Sequence, residues 1–136
     1  MRRLWFAVLG AVFGVAGVAV VAAFGGDAVS GPAAVATFAL WFAASALYVL
    51  GGLDVGVGDP EWYQLVGVGN VCLGLQQAVR LAFRLADGSR ETGTLVVTVA
   101  SGLGGLALAY IGLDWVRGGR HFDLSRFDGD APADLE

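Results

Sequence analysis

Lysine is missing from this chain, and cysteine and histidine occur once each, as Cys72 and His121. Each gap removes a class of chemistry. A single cysteine cannot close an internal disulfide, and one histidine with no second His or Cys beside it makes no zinc set. Membrane haem takes axial ligands, usually His, from the helices that enclose it; His121 lies in the C-terminal tail and reads as a solvated residue. The eight basic residues are all arginine and are scattered, so the basic patch of a nucleic-acid binder is absent. No cofactor, metal ion or nucleic acid is expected. Cys72 reads as a small buried apolar group.

Charge is scarce, at 15% of residues against 57% hydrophobic; soluble domains carry about 25% and 45–50%. The scarcity is uneven. Leu4 to Phe24, Pro32 to Leu53 and Thr94 to Leu113 contain no charged residue, and neither does Trp62 to Val79, the most polar of the four runs. A helix needs about 20 mostly apolar residues to cross a hydrocarbon core about 30 Å thick. Lipid offers backbone groups no partner, so helix is the economical choice for such runs. The expected fold is all-α: an integral membrane four-helix up-down-up-down bundle with short loops. Its single domain covers residues 1–117, with spans at about 4–24, 32–53, 62–85 and 94–114, and an acidic, loosely ordered tail follows at 118–136. Arg2 and Arg3 before the first run resemble a signal-peptide start, but its apolar stretch exceeds the roughly 7–15 residues of such a segment. A retained anchor is expected.

The net charge is −4, and Ala, Val and Gly dominate. Acidic, lysine-free composition is halophile-like, since excess carboxylate keeps protein soluble in high salt; codon bias in a GC-rich genome produces a similar pattern.

The connections carry helix-end chemistry. Gly25 and Gly26 follow the first run, Gly31-Pro32 opens the second, and Gly51, Gly52, Gly56 and Gly58 follow it. Asp59-Pro60-Glu61 reads as an N-cap, a proline at the first helical position and a first-turn acid. Asp87-Gly88 ends the third run, and Ser89 to Gly93 leads into the fourth. The loop acids Asp54, Asp59 and Glu61 match no calcium loop and read as a solvated cap.

Four spans put both termini on one side. That side holds Arg2, Arg3, Arg117, Arg120 and Arg126, against Arg80, Arg84 and Arg90 on the other, which favours termini in the cytoplasm of a multi-pass protein of the cell membrane. Trp5, Trp62, Tyr63, Tyr110 and Trp115 fall on the terminus side, as an interfacial aromatic belt would. Asp114 with Arg117 reads as an exposed pair at a helix end. Phe122, Leu124 and Phe127 could dip the tail into the interface.

Burial alone does not join helices in lipid, whereas small residues allow backbones to approach closely. Candidate packing positions are Gly10 and Gly14 in the first run and Ser101, Gly105 and Ala109 in the fourth, with the partner either within the chain or in another subunit. The third run holds the candidate polar track. Asn70, Gln77 and Arg84 recur every seven residues and share a helix face, with Arg80 close by. Polar groups inside a membrane face a bundle interior or a wet cavity. The competing reading is hydrogen-bonding glue for Asn70 and Gln77 and snorkelling arginines at a helix end.

Known membrane chemistries find little purchase. Small multidrug exporters are similar in size but place an essential Glu in their first helix, where this chain has no acid. The Thr/Ser- and Phe-rich pore motif of fluoride channels is missing. Ser45 and Ser101 have no His or Lys in the spans to activate them. The expectation is a non-enzymatic structural or accessory subunit of a membrane assembly, whose partners are the lipid bilayer and either further copies of itself or another subunit. The alternative is a small oligomeric channel or carrier for an anion or polar solute, using the third-helix polar face.

Overall fold

The computed structural model describes residues 3–53, 55, 60–86, 88 and 92–127. Within them the fold is all-helical. α1 runs Leu4–Phe24, α2 Pro32–Gly52, α3 Trp62–Ala86 and α4 Thr92–Val116, with 3₁₀ turns at Gly25–Val29 and Leu124–Phe127. All four helices are long and apolar enough to cross a membrane. The 25 residues of α3 or α4 measure about 37 Å at about 1.5 Å per residue.

Local chemistry sets the ends. α1 stops at Gly25, whose φ of +64° costs glycine little and whose N–H reaches back to the Val21 carbonyl. Gly31, at φ +85°, precedes Pro32 in the first turn of α2. The start of α3 differs from the expected cap. Pro60 lies outside the helix. Glu61 stands at the N-cap position, and its N–H donates to Gln64 Oε1 at 3.0 Å, the returning half of a capping box. Gln64 wins because three residues is the reach of that motif. Asp54, Gly56, Gly58, Asp59, Asp87, Ser89, Arg90 and residues 128–136 lie outside the described residues, with whatever was expected of them.

Among the described residues the extended seams join α1 to α2, α2 to α3 and α3 to α4. Every seam is antiparallel. Gly10 faces Ser45 and Tyr48 while Gly17 faces Phe42; Gly51 faces Trp62 while Gly69 faces Ala44; Gly67 faces Gly112 while Gly74 faces Gly105. Small residues make these approaches possible. A Cβ at Gly10 would stand 2.7 Å from the Ser45 carbonyl oxygen, and one at Gly14 would stand 2.9 Å from Ser45 Oγ. Ser45 Oγ fills that space and donates to the Gly10 carbonyl at 2.7 Å. Trp41 Nε1 donates to the Phe13 carbonyl at 2.8 Å farther along the same seam. Between α3 and α4, a Cβ at Gly74 would lie 2.5 Å from the Gly105 oxygen and 2.8 Å from Ala109 Cβ. Gly10, Gly14, Gly105 and Ala109 therefore pack within the chain, whereas Ser101 is exposed.

At the terminus end the helices converge on aromatic rings. Tyr48, Trp62, Val66 and Trp115 are buried there. Phe6 sits among them, edge-on to Trp115 at 5.7 Å between centroids and 5.5 Å from Phe127 of the returning tail. Arg3 Cζ lies 5.0 Å from the Trp62 ring centroid, a cation–π contact. Trp62 and Trp115 are thus core residues and depart from the belt expected of them. Each joins helix ends that a ring can bridge, and ring–ring packing contributes beyond burial alone. Trp5 and Tyr110 do face outward, 72% and 54% exposed.

Candidate functional site

α3 lies between two neighbours, so two of its faces turn inward, and its polar residues divide between them. Asn70 is buried and accepts a hydrogen bond from the Tyr48 hydroxyl of α2. It is packing glue. Gln77 packs toward α4, its Cβ against Gly105. Arg84 Nη1 donates to Thr98 Oγ1 at 3.0 Å, and Thr98 Oγ1 donates to the Thr94 carbonyl at 2.7 Å. Gln77, Arg80, Arg84, Thr98 and Ser101 line a groove of about 80 Å³ between α3 and α4.

The larger space is on the other side. A cavity of about 470 Å³ opens among α1, α2 and α3, at the end away from the termini. Gly17, Val20, Phe38, Trp41 and Phe83 form much of its apolar wall, and Thr37, Gln76, Arg80 and Arg84 supply its polar groups. The cavity exists because α1 and α2 meet closely only as far as Gly17, where a Cβ would lie 2.9 Å from the Phe42 ring. Gln76, Arg80, Phe83 and Arg84 follow the i, i+4, i+7, i+8 spacing of one helix face.

Gln76 is the distinctive member. It is 1% exposed and one of the largest fully buried side chains of the protein, enclosed where α3 meets the cavity wall. No carboxylate among the described residues lies within ion-pair distance of Arg80 or Arg84. The expected track of Asn70, Gln77, Arg80 and Arg84 is therefore not one surface. Asn70 is occupied, Gln77 serves the α4 side, and the arginines border both spaces. The seven-residue spacing overlooked Gln76. Its four-residue spacing to Arg80 and Arg84 is the signal that reveals it.

A second polar centre closes the terminus end. The Asp114 carboxylate is buried at the end of α4. It accepts from the His121 N–H at 3.1 Å and the Phe122 N–H at 3.2 Å, and Nδ1 of His121 lies 2.8 Å away. The exposed Asp114–Arg117 pair expected from spacing gives way to a carboxylate that anchors the tail. His121 stays largely exposed while bonded to it. Gln64 Nε2 donates to the Val116 carbonyl at 3.4 Å, tying the start of α3 to the end of α4. Trp115 Nε1 is buried with no partner among the described residues. No group of three His, Cys, Asp or Glu side chains that could hold a metal occurs among the described residues.

No curated protein and no solved structure matches the chain. One family model covers residues 1–128, which takes in the four helices, the cavity and the tail as far as Phe127. The chain belongs to that family, a family of unknown function designated DUF7994.

Proposed function

We propose that this is a non-enzymatic, multi-pass protein of the cell membrane, with four spans in up-down-up-down order and both termini cytoplasmic, and that it binds a small anionic molecule in the cavity at Gln76, Arg80 and Arg84. Support for the membrane comes from uncovered apolar faces. Val15, Val18, Val96 and Leu103 are at least 60% exposed, and contiguous apolar surface of this kind belongs in hydrocarbon or against another protein. The observation that carries the binding reading is the pair Arg80 and Arg84, both exposed on the border of a cavity whose wall is otherwise mostly apolar. A mostly apolar pocket with a few convergent polar groups is the usual form of a ligand site. The reading favours a binding protein or carrier over an open channel, because the Tyr48–Asn70 bond and the aromatic cluster fill the opposite half of the array.

Fluorescence of Trp41, on the cavity wall, tests this in detergent-purified protein. Titration with a short-chain alkyl phosphate is expected to saturate, and Arg80→Ala to weaken it roughly fivefold, from about 1 kcal/mol per arginine. A response that never saturates, or that ignores Arg80, refutes the reading. Sidedness has its own test in a Cys72→Ala background. A cysteine at Ser89 should label from outside and one at Gly56 should not; the opposite result inverts the topology.

A second reading, an accessory subunit of a larger membrane assembly, draws on α4. Its outward side exposes Ala100, Gly104 and Ala107 among larger apolar residues, and a Cβ at Gly104 would meet nothing within 4 Å. Small residues at an open helix face suit close packing with another helix. A stoichiometric partner retained through purification in mild detergent would favour this reading.

A further inference from the structure

We propose that the occupant of the cavity among α1, α2 and α3 is an anionic phospholipid of the surrounding leaflet, an inference that rests on the binding reading above and names its ligand class.

The argument is one of matching depth. Measured back from the end of α3 at Ala86, Arg84 lies about 3 Å along the axis, Arg80 about 9 Å and Gln76 about 15 Å, at about 1.5 Å per residue. With the hydrocarbon core about 30 Å thick, the cavity wall runs from headgroup depth toward mid-membrane. A phospholipid has the same order of groups: a phosphate outermost, then the oxygens that link its chains, then hydrocarbon. The two guanidiniums meet the phosphate, for which arginine has a matching fork of N–H donors. Arg84 keeps donors to spare, since among the described residues its Nη1 contact to Thr98 is the hydrogen bond in place. Val20, Phe38, Trp41 and Phe83 flank the chain. A freely soluble anion would satisfy the arginines but would leave the apolar wall without a counterpart.

The test uses the full chain in phosphatidylcholine vesicles containing some phosphatidylglycerol, with brominated acyl chains on one lipid or the other. Bromine quenches nearby indole, and the Trp41→Phe variant supplies the background from the other tryptophans. The Trp41 share is expected to be quenched preferentially by brominated phosphatidylglycerol. Arg80→Gln should reduce that preference roughly fivefold. Native mass spectrometry gives a readout independent of tryptophan: one phosphatidylglycerol per chain should be retained, and its retention should fall in Arg80→Gln. Equal quenching by the two brominated lipids, with no retained lipid, overturns the proposal. Loss of the preference on adding inorganic phosphate overturns it in favour of a free anion and leaves the broader binding reading intact. If neither lipid nor alkyl phosphate binds, both fall.

Discussion

The two ends of the helix array are built to opposite plans. At the terminus end, rings from α1, α2, α3, α4 and the tail converge around Phe6, and the Asp114 carboxylate holds the tail in place. At the other end no such cluster forms among the described residues, and a cavity bordered by arginines remains. The middle of the array joins them through glycine seams that bring backbones into contact. One end thus supplies rigidity and the other supplies room. An array fixed at a single end can hold a cavity open in lipid without collapsing, because hydrocarbon exerts little drive to close it.

The sharpest way to break this contrast is through the α3–α4 seam, on which both ends depend. Gly74→Leu would drive a side chain into the Gly105 carbonyl and Ala109, where even a Cβ has no space. Overpacking costs typically 1–3 kcal/mol, and backbone against backbone leaves little to relax, so a loss of about 3 kcal/mol is expected. Unfolding in detergent, followed by tryptophan fluorescence, should show it. Wild-type stability in this variant would mean the seam is looser than described.

Next in size is the anchor at the closed end. Asp114→Ala leaves the His121 and Phe122 N–H groups without their acceptor and should cost about 2 kcal/mol. The loss should be local. Hydrogen exchange is expected to rise across residues 118–127, while the glycine seams keep their protection. Uniform loss of protection would show that the tail stabilises the whole array.

These two sites also show where the sequence was readable. Charge-free runs located the four helices to within two residues at most ends, because hydrophobicity sets both the length and the limits of such segments. Gly10 and Gly105 could be picked by their spacing, but Gly67 and Gly74 on the opposing helix were not, since spacing on one helix does not name its partner. Asp114 was assigned to Arg117, three residues away. Its actual partners depend on the tail folding back, for which the only hint was three apolar residues, Phe122, Leu124 and Phe127, in an acidic segment. Gln76 was missed for a related reason. Heptad spacing selects one face of α3, and a helix between two neighbours has two inward faces.

A smaller effect is expected where polar glue joins α2 to α3. Tyr48→Phe removes the donor to Asn70 and leaves the ring stack intact. Such bonds in membrane proteins average about 0.6 kcal/mol with a maximum near about 1.7 kcal/mol, and a loss of about 1 kcal/mol is expected, read by the same unfolding assay. A loss as large as that of Gly74→Leu would make this bond, and not the glycine seams, the principal tie between the two ends.

The smallest effect is the most discriminating for function. Gly104→Leu adds a side chain where the single chain has open space, and leucine favours helix over glycine by nearly 1 kcal/mol. The isolated chain should be unchanged or slightly more stable. The particle it purifies in need not be. If α4 docks another helix through Ala100, Gly104 and Ala107, added bulk there should split the assembly while the fold persists, and mass measured in mild detergent would fall. If α4 faces lipid, mass and stability both stay put, a result that counts against the subunit reading. One substitution thus separates the subunit reading from the binding reading without disturbing either end of the array.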